Sequence, residues 1–124
     1  MAVSGVTQRQ IVWLNWKFPY ETGLKPHPAI VISDSELLNE EGMFYAVLIS
    51  SQNIHSNYTL EFTNDDLLGD DKLDHDSYVV THFITYFELD DVERVMNAHV
   101  REEKFEEIQT KIIKSVMCLD VDYE

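Results

Sequence analysis

The chain is short of cysteine, of basic residues and of long apolar runs, and each shortage narrows what it can be. Cys118 is the single cysteine, so an internal disulfide is excluded, and no Cys/His cluster has zinc spacing. The acids and His75 at positions 70–76 match no dedicated calcium loop, so neither a metal nor another cofactor is expected. No apolar run approaches the roughly 18 residues needed to cross a bilayer. The first ten residues lack the charged-then-apolar layout of a secretion signal. The expectation is a cytoplasmic protein without membrane association. Basic residues are scarce, 9 Lys and Arg against 23 Asp and Glu, giving a formal net charge of −14. Such a chain repels polyanions except at a local basic patch, and it attracts cationic partners.

What is present fits one globular domain. The 124 residues suffice for one core, and 44% apolar with 26% charged residues is an ordinary globular balance. Residues 1–8 read as a tail and 9–124 as the domain. The charge is uneven: residues 1–60 carry three bases against five acids, a net −2, and residues 61–124 carry six against eighteen, a net −12. A nucleic-acid site would therefore have to draw on the first half, where Lys17 and Lys25 lie. Most of the acids are read as a solvated face that keeps a small domain soluble.

Pattern then gives the elements. Residues 10–16, 43–50 and 77–87 are rich in β-branched and aromatic side chains and predict strands. Residues 29–32 are a short apolar run that predicts a buried strand, and 58–62 alternate as a half-exposed one does. All three prolines, Pro19, Pro26 and Pro28, fall between these first strands, which predicts a long loop over 17–28. Residues 34–42 predict a connection with room for one helical turn. The six Asp and one Gly of 64–76 predict a surface loop. A further short strand is expected at 93–100. From 101 to about 117 the period becomes helical, with Phe105, Ile108, Ile112 and Val116 on one face. Cys118 is read as a small buried hydrophobe near the helix end, and 118–121 as a possible edge strand. Strands first and one late helix give a mainly β class with a C-terminal α-helix, a small bent sheet or barrel.

Several blocks resemble a known family: the Ile-Val-Trp strand, then Lys25-Pro26-His27-Pro28-Ala29-Ile30-Val31-Ile32-Ser33, then Ile49-Ser50-Ser51-Gln52, then Glu88 to Val95, and the terminal amphipathic helix. Over about residues 9–117 this order is similar to the MazF/PemK toxins of type II toxin–antitoxin systems, which share an SH3-like barrel with the CcdB toxins. The resemblance implies a homodimeric endoribonuclease that cleaves single-stranded RNA without a metal and leaves a 2′,3′-cyclic phosphate. It also implies a cognate antitoxin that neutralises the dimer. The family places an Arg just before the Pro-Ala-Val-Val strand, facing the scissile phosphate, and a Thr or Ser at the end of the Ile-Thr-Ser-Gln block. Here the hydroxyl is Ser50, but His27 stands in the Arg position.

His27 and Ser50 are therefore the candidate catalytic residues, and Lys17, Lys25, Ser51, Gln52, Asn53, Thr81 and His82 are the candidate RNA-binding residues. An imidazole can act as acid or base near neutral pH, with His82 or His55 supplying the second proton-transfer group. The other reading makes His27 an exposed loop residue in a site that has lost its anion clamp. Ser50 to Asn53 also reads as a plain turn after a strand. His75 is placed on the acidic loop and His99 on the surface flanking the helix. Trp13 and Trp16, at odd spacing, should face opposite sides of their strand. The alternative to a ribonuclease is a non-catalytic dimeric module of the same fold with a protein partner.

Overall fold

The computed structural model describes residues 6–17, 19, 21–52 and 56–119. Seven antiparallel strands form one strongly curled sheet, a half-barrel, in the order β4-β6-β3-β2-β1-β7-β5. They are β1 (Gln10–Trp16), β2 (Lys25–Val31), β3 (Met43–Ser50), β4 (Thr59–Phe62), β5 (Leu67–Leu68), β6 (Ser77–Glu88) and β7 (Val92–Val100). Helix α1 (Ser35–Glu41) bridges β2 and β3, and α2 (Glu102–Ile112) follows β7. Among the described residues no helix is long and apolar enough to cross a membrane.

Strand alternation gives the central strands two apolar faces. On one, Ile11, Ile30, Val47, Ile49, Phe62 and Val79 pack with Met96, Ala98 and Val100 beneath Phe105, Ile108 and Ile112 of α2. On the other, Val12, Leu14, Ala29, Val31, Ala46 and Leu48 pack with Phe44 and Phe87. Trp13 lies against the first cluster and Trp16 against the second, as their odd spacing predicts.

β2 begins earlier than expected. The sequence predicts a strand over 29–32 and a loop before it, yet the strand runs Lys25–Val31 and includes Pro26 and Pro28. It pairs with β1 from Lys25 to Ile30, Leu14 opposite His27 and Asn15 opposite Pro26, but with β3 only at Ala29, Ile30 and Val31. Successive N–H groups in a strand point to alternate edges, so two prolines two residues apart remove donors from one edge only. The ladder to β3 stops where the prolines begin. Proline here does not forbid the strand; it leaves one of its sides unpaired.

The connection over 34–42 is also more ordered than one turn. Asp34 caps α1 by accepting from the Leu37 N–H at 3.2 Å, and Gly42 closes it in the left-handed region at φ 72°, its N–H on the Leu38 carbonyl. The acidic loop over 64–76 is pinned to β7: the Asp71 N–H donates to the Asn97 carbonyl at 3.0 Å, and the Asn97 N–H donates to Asp71 Oδ2 at 2.7 Å. It also supplies the two-residue strand β5, which pairs with β7.

At the C-terminus the expected face does not run to its end. α2 passes into a π-helical turn, Ile113–Met117, whose wider winding rotates Val116 outward to 46% exposure. Ser115 takes the inward position instead, its Oγ 2.9 Å from Thr81 Oγ1. Cys118, expected to be buried, is exposed beyond that turn. Residues 118 and 119 are in no strand, and 120–121 lie outside the described residues.

Candidate active site between β2 and β3

The gap opened by the prolines is a concavity of about 170 Å³ lined by Trp13, Pro26, His27, Pro28, Ile49, Ser51, Leu73, Asp74, His75 and Ser77. Drug-sized ligand pockets run to roughly 300–1,000 Å³, so this one suits a group the size of a phosphodiester with part of a sugar. Continuing the β2–β3 register past Ala29–Leu48 would set Pro28 opposite Ile49, His27 opposite Ser50 and Pro26 opposite Ser51. The strands part at that point, and the loop before β6 brings Asp74 and His75 to the far wall. Trp13 forms the base, its indole N–H donating to Met96 Sδ at 3.1 Å.

Of the two candidate catalytic residues, His27 lines the concavity and Ser50 does not. Ser50 is 4% exposed, and its Oγ accepts the Gln52 N–H at 3.1 Å, an ST-turn that sets the chain direction for Ser51. Ser51 is the hydroxyl that lines the site. Gln52 is exposed beside it, and Asn53 and His55 lie outside the described residues. Thr81 is fully buried, its hydroxyl bonded to the Tyr58 carbonyl and to Ser115 Oγ, so it holds β6 to the helix end and faces no groove. His82 is exposed where the β3–β6 register shifts, 4.9 Å from the Tyr58 ring and 4.5 Å from Phe83, and is not part of the concavity. Partial desolvation beside these rings lowers its pKa, which favours the neutral ring.

The basic residues converge on a residue the sequence does not single out. The His27 Nε2 is 3.0 Å from Glu21 Oε1, with the two side chains only 16% and 11% exposed. Lys25 Nζ is 3.8 Å from Glu21 Oε2, and Lys17 Nζ donates to the Glu21 backbone carbonyl at 3.1 Å. Spacing signals the Lys25 contact, at i and i+4, but nothing in the sequence shows that the loop folds its carboxylate onto the imidazole. His75 is the other residue that sequence reasoning missed. Its run of flanking acids points to a solvated loop, and only the packing of Leu73 into the core carries it to the site wall. His99, read as surface, sits half-buried in β7 with Nε2 3.2 Å from Thr7 Oγ1.

The fold has solved counterparts. MazF from Deinococcus radiodurans is 17% identical, with a TM-score of 0.70 over 94% of this chain and all of that one (100%). An endoribonuclease in complex with its cognate antitoxin from a mycobacterial species is 12% identical, with a TM-score of 0.69 over 94% of this chain and 99% of that one. A MazE–MazF complex from Deinococcus radiodurans is 15% identical, with a TM-score of 0.70 over 94% and 100%. At these identities the likeness establishes the fold. No curated protein matches the chain by sequence. The family model for the PemK-like, MazF-like toxin of type II toxin–antitoxin systems matches residues 7–116, nearly the full length, and the chain belongs to that family.

Proposed function

We propose that this toxin is an endoribonuclease that cuts single-stranded RNA without a metal, at the concavity between β2 and β3. The observation that carries the reading is that two imidazoles, His27 and His75, and the Ser51 hydroxyl line one phosphodiester-sized site, with His27 where the family resemblance places an Arg. Cyclising cleavage needs just such groups. One imidazole takes the proton of the ribose 2′-hydroxyl as that oxygen bonds to phosphorus. The other gives a proton to the 5′-oxygen as its bond to phosphorus breaks, leaving a 2′,3′-cyclic phosphate and a 5′-hydroxyl. Lys25 and Lys17 supply charge for the phosphate, and Ser51 and Gln52 offer hydrogen bonds at the rim. Ser50 acts by holding the turn that presents Ser51.

The family membership and the solved toxin–antitoxin complexes support a homodimer held in check by a cognate antitoxin; RNA in the cytoplasm as its target is part of the same proposal. The test is cleavage of a mixed RNA pool in EDTA. Wild type should cut at micromolar enzyme, and His27→Ala and His75→Ala should each lose about 100-fold or more. Ser50→Ala should lose less than either. No cleavage by wild type, or cleavage by both histidine variants at the wild-type rate, overturns the assignment.

A second reading rests on His27 standing in place of the Arg and on the net charge of −14: the same barrel kept as a non-catalytic dimeric module with a protein partner. It requires that induced expression leave growth unchanged. Growth arrest that His27→Ala relieves excludes it.

A further inference from the structure

Three of the residues that would receive RNA are already occupied by one residue of the same chain. Lys17, Lys25 and His27 all bond Glu21, the first through its backbone carbonyl and the other two through its carboxylate. Thr22, Gly23 and Leu24 of the loop and Lys25 and Pro26 at the start of β2 are exposed, yet the Glu21 side chain is only 11% exposed. A carboxylate folded inward from an exposed loop, with its oxygens on the His27 imidazole and towards the Lys25 ammonium, presents what a phosphodiester presents: one negative charge and acceptor oxygens.

We propose that the Glu21 carboxylate is an internal occupant of the anion-binding groups of His27 and Lys25 beside the concavity, which an RNA phosphodiester displaces to reach them. The inference rests on the ribonuclease reading for its substrate, but its chemistry is that of any phosphate oxyanion at this spot. The strengths of the contacts allow exchange. The Lys25 pair is long at 3.8 Å and its ammonium is 63% exposed, so it holds weakly. The His27 contact at 3.0 Å is the firmer one. A short tether gives a side chain an effective concentration on the order of millimolar, so a weak internal anion still competes with a micromolar external one. Removing the carboxylate also turns the patch from neutralised to basic in a chain with little positive charge elsewhere. Glu21 thereby sets the affinity for RNA and keeps the site closed to shorter or weaker anions.

Following the His27 imidazole resonances by NMR while titrating inorganic phosphate, and separately a short all-deoxy oligonucleotide that cannot be cyclised, tests this directly. Binding should tighten about tenfold in Glu21→Ala and in Glu21→Gln, with unchanged thermal midpoints. The KM for RNA should fall by a similar factor at similar kcat. Equal phosphate affinity in all three proteins, or no phosphate-dependent shift in any of them, overturns the proposal. So does a fall in kcat at unchanged KM, which would make Glu21 a positioning residue for the imidazole. Tighter phosphate binding by the variants with no RNA cleavage by any of the proteins upholds the internal occupant and sinks the ribonuclease reading alone.

Discussion

At the scale of single residues, the acidic loop that carries His75 depends on a glycine. Gly69 has φ 114°, and a Cβ there would collide with the Asn97 carbonyl on β7. Both the left-handed backbone and the close approach require a residue without a side chain. Gly69→Ala should cost about 2–4 kcal/mol in a urea melt, and it should impair cleavage by shifting the wall of the site. His99 makes a second test. Burial lowers its pKa below the ordinary 6.5, with the Arg9 charge a smaller cause. The unfolded chain then binds more protons than the folded one, so this contribution to stability is full above 6.5 and is lost as pH falls through the lowered value. Denaturant midpoints of His99→Gln should therefore decline less than those of wild type between about pH 7 and pH 5. A candidate was legible where a motif carried it, as with His27 between its prolines. Glu21 and His75 were not legible, because contact across a loop is set by how the loop closes and not by spacing.

Elements were legible where the apolar period was long. The strands over 10–16, 43–50 and 77–87 and the helical face of Phe105, Ile108 and Ile112 lie where hydrophobic alternation places them. What escaped the sequence is local hydrogen-bonding geometry: the π-helical turn that rotates Val116 outward, and the strand that tolerates two prolines because one of its edges needs no donors. That edge gives a prediction. Pro28→Val restores an N–H to β2 and raises β propensity. The β2–β3 ladder should then extend past Ala29 towards His27 and Ser50. Amide exchange at 27 and at 49–51 should slow, and cleavage should fall although the protein is no less stable. Faster exchange together with lower stability would show that the prolines do not set the gap. At the other end of β2, α1 has a polar cap and buries no residue completely, so Asp34→Ala should cost about 1 kcal/mol. Ile108→Ala removes a fully buried side chain beneath the sheet and should cost about 2–5 kcal/mol in the same melt.

For the whole molecule the governing quantity is charge. A protein with a net −14 can bind a polyanion only through a small patch, and the lysines that share Glu21 with His27 are Lys17 and Lys25. Salt dependence measures the number of phosphates such a patch neutralises. For single strands log K falls with log salt at about −0.7 per phosphate, so two lysines give a slope near −1.4, and a strand crossing both sites of a dimer about −2.8. Raising salt from about 50 to 200 mM should then weaken binding by about 7-fold for one site, or about 50-fold for two. A protein with an extended basic surface and 6–10 phosphate contacts loses roughly 10³–10⁵ over that range. Fluorescence anisotropy with a labelled all-deoxy strand across this salt range reads the slope. The double variant Lys17→Ala/Lys25→Ala should flatten it nearly to zero, because the patch then holds no lysine and residues 61–124 carry 18 acids against six bases. A slope of about −5 or steeper would place RNA on a basic surface other than this patch, and with it the cut elsewhere than beside His27.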